Sequence, residues 1–358
     1  MKSIKIFSNL IVVILILSAC TKSIDFEGEI TAPKVVVHSF INPDSVVSAY
    51  VSLSAFFLSD TLQFKQVYNA DVSLYVNGGF KEKMNRVYSS RAAKYKGTYQ
   101  PAIGDIVKIV VKVPEMGEVS AETGFIKAPL IEAVDTTVRI IDFLHSMGYN
   151  HDTTAVHYQC NVNLKIKFTD RAEEKNFYRL IVMKRYYEYK SIREWDRSMW
   201  DWKWVLYEST RDNYSQLKFT DPVSGNSTNL NPLEEVSSIT GESIDAAETY
   251  NVFSDELING KSYTLNCTAT NVLFAKRYPG YEKDTEKGRQ YGYQSEKTEV
   301  FVSLQSISEE YYYYLKSRGA SGKDDFYSEP VQILSNIKGG IGFMGAYSTS
   351  NVFRFMIE

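Results

Sequence analysis

Ala70-Asp71-Val72-Ser73-Leu74-Tyr75-Val76-Asn77-Gly78-Gly79 sets how the rest of the chain is read. Ala70, Val72, Leu74 and Val76 alternate with other residues in the period-two pattern of a strand that buries one face. Asn77-Gly78-Gly79 then supplies the positive φ of a tight hairpin. Upstream, residues 34–41 form a Val-rich segment, Asn42-Pro43-Asp44 reads as a turn, and Val47, Ala49, Val51 and Leu53 share one face of the next strand. Downstream come a strand at 80–88, a short element between Tyr95 and Gly104-Asp105, and the alternation Val107, Ile109, Val111, Val113, which Pro114 closes. Short strands at this spacing, without a helical period, predict an immunoglobulin-like β-sandwich over 33–129.

Pro129 is the expected boundary, and residues 130–358 read as a larger β domain. Val162, Leu164, Ile166 and Phe168 alternate with Asn163, Lys165 and Lys167 in a strand over 158–168, and another is expected at 177–189. Residues 220–249 and 277–297 are polar loop candidates. Ser306 and Glu309 have the spacing of a capping box that would open a helix near 307–318. Tyr311, Tyr314 and Leu315 fall on one face of that helix, which suits packing against a sheet. The fold class expected is mainly β: an immunoglobulin-like β-sandwich followed by a larger β domain with a C-terminal helix.

The first 19 residues read as a lipoprotein signal peptide. Lys2 and Lys5 precede an apolar run at 6–17, too short to span a bilayer, and Leu17-Ser18-Ala19-Cys20 places small residues directly before a cysteine. Cys20 is the expected lipidation site, where acyl chains such as palmitate would hold the mature chain on a membrane. Residues 20–32 would form a tether.

A net charge of −3 provides no basic field for nucleic acid, so that class of partner is not expected. Cys160 and Cys267 remain for an oxidising compartment, as one possible disulfide or as two buried thiols in strands. His145, His151 and His157 with Asp152 are spaced by six residues, which fits neither a helical pair nor a hairpin ligand pair. They are read as loop histidines, and no metal or cofactor is expected. The chain has no Gly-x-Ser-x-Gly elbow, adjacent acidic pairs point apart, and Gly339-Gly340-Ile341-Gly342 lacks the Lys-Ser/Thr ending of a phosphate loop. No enzyme activity is expected.

The aromatic segment is the candidate binding surface. Trp195, Trp200, Trp202 and Trp204 lie within ten residues, with Tyr207 close by. Trp200, Trp202 and Trp204 would share one strand face by parity. They would be either core or hairpin packing, or a platform for a sugar face or a partner's apolar surface.

Four segments carry a resemblance: residues 34–38 (Lys-Val-Val-Val-His), Asn69-Ala70-Asp71-Val72, the Lys96-Gly97-Thr98-Tyr99 turn, and above all Ser335-Asn336-Ile337-Lys338-Gly339-Gly340-Ile341-Gly342-Phe343. Together they resemble the DUF4249 lipoproteins of the Bacteroidota over nearly the whole mature chain. The resemblance implies outer-membrane attachment with surface exposure as one option, and a TonB-dependent receptor as partner in uptake. It supplies no catalytic residues. The expectation is therefore a lipid-anchored, non-catalytic accessory or ligand-capturing protein. The alternative is a glycan-binding surface lipoprotein that uses the aromatic platform.

Overall fold

The computed structural model describes residues 32–55, 64–89, 92–147, 153–172, 174–215, 217–220, 223, 251–277, 294–321 and 333–358. The signal segment, Cys20, nearly all of the tether, His151, Asp152 and most of the two polar loop candidates lie outside them. The chain is mainly β, as its alternation predicts.

The first eight strands are β1 (Val35–Ile41), β2 (Ser48–Leu53), β3 (Asp71–Val76), β4 (Gly79–Lys83), β5 (Asn85–Val87), β6 (Lys94–Lys96), β7 (Ile106–Val113) and β8 (Gly117–Gly124). The Asn77-Gly78 turn after β3, with φ of 51° and 81°, leads into β4. Four strands pair in the order β4-β3-β7-β8, while β1, β2, β6 and β5 belong to a second layer. Val37, Val51, Leu74 and Ile109 close one core between the layers.

The later strands are much longer: β9 (Ile131–Met147), β10 (Thr153–Thr169), β11 (Phe177–Asp196) and β12 (Asp201–Tyr214), then the short β13 (Leu217–Phe219) and β14 (Val252–Ser254), then β15 (Ser262–Arg277) and β16 (Gln294–Ile307). Helix α1 (Glu309–Ser321), β17 (Ile341–Thr349) and β18 (Phe353–Ile357) complete the order. One sheet runs β13-β15-β10-β9; facing it are β12, β11 and β16, with β14 on β11 and β18 on β16. Val162, Leu164, Ile166 and Phe168 point into the second core, as their alternation predicts, against Tyr178, Leu180, Val302 and Leu304.

Strand β17 joins the two halves. It pairs in parallel with β1, from Val36 opposite Ile341 to Ile41 opposite Ala346. Its last residues pair with β16, Gln305 opposite Thr349 through Ile307 opposite Tyr347. The result is one continuous ten-stranded sheet in which Ile337, Met344 and Ala346 complete the first core. A division of the chain at Pro129 misses this exchange: the sandwich built from 33–129 also requires a strand from the far end. The insertion needs glycine. A Cβ at Gly340 would sit 2.6 Å from the Val35 carbonyl oxygen, and one at Gly342, φ 111°, would overlap that of Val37.

Side chains pin the crossing segment at 126–131. Ser348 Oγ donates to the Ile126 carbonyl, Arg171 Nη1 and Ser306 Oγ donate to that of Lys127, and Asn351 exchanges two hydrogen bonds with the backbone of Ile131. The capping box expected from Ser306 does not form, because its hydroxyl is engaged at Lys127 and the helix begins at Glu309. The aromatic stripe does form. Tyr311, Tyr314 and Leu315 are buried, and Tyr314 stacks on Phe343 with ring centroids 4.1 Å apart.

The possible Cys160–Cys267 disulfide is not present. Both thiols are free and buried, because Cys160 lies opposite Val272 whereas Cys267 lies opposite Leu164. That four-residue offset is about 13 Å along the strand, beyond the roughly 7 Å limit for a bridge.

Candidate functional site

The register brings the ends of the β9–β10 and β11–β12 hairpins to the pole where β15 ends and β16 begins. Ala155, near the start of β10, pairs with Arg277 at the end of β15, and Thr153 pairs with Met147 at the end of β9. On the facing sheet, Tyr189 of β11 pairs with Gln294 at the start of β16. Beyond that pair, β11 and β12 continue as a two-stranded ribbon from Lys190 opposite Tyr207 to Asp196 opposite Asp201. The ribbon extends about 20 Å past the sheet.

A bidentate pair holds the ribbon's base, with Arg185 Nε and Nη2 donating to the two carboxylate oxygens of Asp212 at 2.7 and 2.8 Å. This hydrogen bonding holds the Arg185 guanidinium more firmly protonated than usual. Two residues along β11, the Tyr187 hydroxyl donates to Glu299 Oε2 of β16 at 2.8 Å.

The tryptophans are arranged differently from the parity reading. Trp200 is not on β12. It ends the turn before that strand, with φ 52° and 81% of its surface exposed. In the ladder Trp195 is paired directly with Trp202, and Arg193 with Trp204. Tyr207 pairs with Lys190 at the start of the ribbon. Trp195 and Met199 are exposed beside Trp200, so the tip carries apolar surface that the fold does not cover.

The histidines do not gather. His145 and His157 are on adjacent strands but on opposite faces: His145 pairs with Val156 and His157 with Leu144. Burial lowers the pKa of His157. Among the described residues no group of three His, Cys, Asp or Glu is placed to hold a metal.

Two features escaped the sequence reading. The first is a buried cation. Lys184 of β11 points into the second core and donates to the carbonyl oxygens of Asn271 at 3.1 Å and Thr270 at 3.5 Å. Those carbonyls flank a β-bulge at Asn271, φ 56°, where β15 slips against β10 between Cys160 and Val162. Burial lowers the Lys184 pKa to about 8, and raises that of Cys160, whose thiol donates to the next carbonyl, Val272, to about 11. A polar pattern in β15 gives no sign of the bulge.

The second is a cleft of about 670 Å³ where the two sandwiches meet, lined by Pro43, Ile103, Lys127, Leu130, Arg171 and Asn351 among others. It combines apolar walls with two cationic side chains at a junction between β units, a common place for small ligands.

The family model described as "Domain of unknown function (DUF4249)" matches residues 21–351. The chain belongs to the DUF4249 family. No curated protein matches it. A solved structure titled "Crystal structure of Lamprey immune protein" aligns over 93% of this chain and 94% of its own, at 10% identity and a TM-score of 0.09, which carries no argument about the fold.

In this DUF4249 chain the segments that carry the resemblance have structural roles. Asn336 clasps Met344, Lys338 exchanges backbone hydrogen bonds with Ser120, and Gly340 and Gly342 admit β17 beside β1. In the Lys96–Tyr99 turn, Glu82 accepts from the backbone amides of Thr98 and Tyr99, each at 2.8 Å. The exposed residues of the hairpin pole lie outside these segments.

Proposed function

We propose that this chain is an outer-membrane lipoprotein, anchored through Cys20, which works without catalysis as an accessory or ligand-capturing partner of a TonB-dependent receptor. The observation that carries the reading is the polarity of the body. The tether leads into β1, whose Val36 pairs with Ile341 at the end of β17 farthest from β16. From there the strands lead through β16 and the β11–β12 ribbon to Trp195 and Trp200, on the order of 80 Å away at strand rise. Attachment and exposed aromatic surface therefore occupy opposite ends, which suits a protein held by one end and binding with the other.

The test is recovery of the tagged chain from its native membrane in mild detergent, followed by mass spectrometry. A TonB-dependent receptor in near-equal amount, lost when Trp195 and Trp200 are both replaced by Ala, is the expected result. Recovery of the chain alone would overturn it.

The pairing of Trp195 with Trp202 favours a second reading, in which the ribbon stacks on sugar rings. Binding to a carbohydrate array in the absence of any receptor would support that reading over the first.

A further inference from the structure

Strand β9 is the edge of its sheet, and among the described residues its outer side has no strand partner. It contains neither proline nor lysine, and among its charged residues Arg139 and Asp142 are of opposite sign. Its distal half exposes apolar side chains on both faces: Val138, Ile140 and Phe143 on one, Leu144 on the other, with Ile141 between them. Phe143 and Leu144 are 59% and 71% exposed.

A bulge divides the strand. Asp142 pairs with Gln159 and Ile140 with Cys160, which leaves Ile141 as the extra residue and reverses the facing of the residues beyond it. Thr136, Val138 and Ile140 before the bulge face the same way as Phe143 and His145 after it, because each lies opposite an even-numbered residue of β10. Arg139 and Asp142, opposite Asn161 and Gln159, share the outer face.

We infer that a second copy of this chain docks on β9, strand against antiparallel strand, about a two-fold axis at the bulge. A two-fold perpendicular to the sheet keeps inner faces on one side, and the reversal at Ile141 lets residues before the bulge face like residues after the second copy's bulge when the axis passes between Ile140 and Ile141. In that register Val138 lies opposite the second copy's Phe143, and Thr137 opposite its Leu144. Arg139 lies opposite the second copy's Asp142, and the symmetry repeats the pair. Two opposite-charge pairs thus flank a centre made by Ile140 and Ile141, and the two kinks coincide instead of blocking each other. The four strands of each copy's sheet join into one continuous sheet.

The experiment is light scattering on the full chain in mild detergent at micromolar concentration. The expected result is twice the protein mass of one chain. Arg139→Asp alone and Asp142→Arg alone should each halve it, since each places like charges opposite one another twice. Mixing the two single variants should restore the doubled mass, because one copy then carries carboxylates at both positions and the other carries guanidinium groups at both. A monomeric native chain, a dimeric single variant, or single variants that stay monomeric on mixing overturns the inference. Circular dichroism on each variant verifies the fold independently, since both side chains are exposed.

Discussion

The side-chain amide of Asn336 grips the backbone of Met344, donating to its carbonyl at 2.7 Å and accepting from its N–H at 2.9 Å. The amide acts as a one-residue strand partner for β17 along one edge, while β1 pairs along the other. Met344 is fully buried in the first core, so this contact fixes how a C-terminal strand enters an N-terminal sandwich.

Replacing Asn336 by Ala removes both bonds and leaves two backbone groups without that partner. The expected loss is about 2 kcal/mol of stability, read as a lower denaturation midpoint with an unchanged slope. Asn336→Asp keeps the acceptor and loses the donor, and should fall between the two.

Gly342→Ala should be far more damaging than Gly78→Ala, although both glycines have positive φ. A Cβ at Gly342 meets the Val37 backbone, whereas one at Gly78 meets nothing within 4 Å. The turn variant should lose about 1 kcal/mol, and the strand variant more than about 4 kcal/mol, enough to prevent soluble expression.

Lys184 makes stability depend on pH. Its pKa falls from 10.5 to about 8 on folding, so the unfolded chain binds more protons between those values and stability rises with pH across that window. Cys160 acts in the opposite sense above its unfolded value of 9, because its folded pKa is raised to about 11. Between pH 7 and 8.5 the lysine dominates, and the gain should be about 1 kcal/mol by chemical denaturation. Lys184→Met should remove most of that rise; an unchanged slope in the variant would show that another group titrates.

Trp200→Ala and Trp195→Ala should change stability by less than about 0.5 kcal/mol, because neither ring is buried. Partner or ligand capture should fall in both. A large stability loss with capture intact would make the tip a structural device.

The strands at 34–41, 69–76 and 158–168 were legible because alternation and turn chemistry act over a few residues. The aromatic stripe of α1 was legible for the same reason. Trp200 was misplaced because the reading took the strand to begin one residue earlier than it does, and a single residue in the left-handed region moves an indole from a strand face into a turn. The cysteine pairing was open because composition and compartment say nothing about register, which here keeps the two thiols four residues apart. Nothing local to Lys184 marks it as buried, because the carbonyls that satisfy its ammonium group are placed by the distant bulge at Asn271.

By itself the sequence determined a mainly β chain, its turns, the helix after Ser306 and its family, since each rests on local pattern or on matched segments. Tertiary structure decided that β17 completes a sandwich begun some 300 residues earlier, and that two hairpin ends meet the end of β15 and the start of β16 at one pole. The physical reason is that a ladder joins strands through backbone groups common to every residue. Which strands meet depends on the closing of two cores and on the glycines that let backbones approach, and periodicity along the chain carries neither.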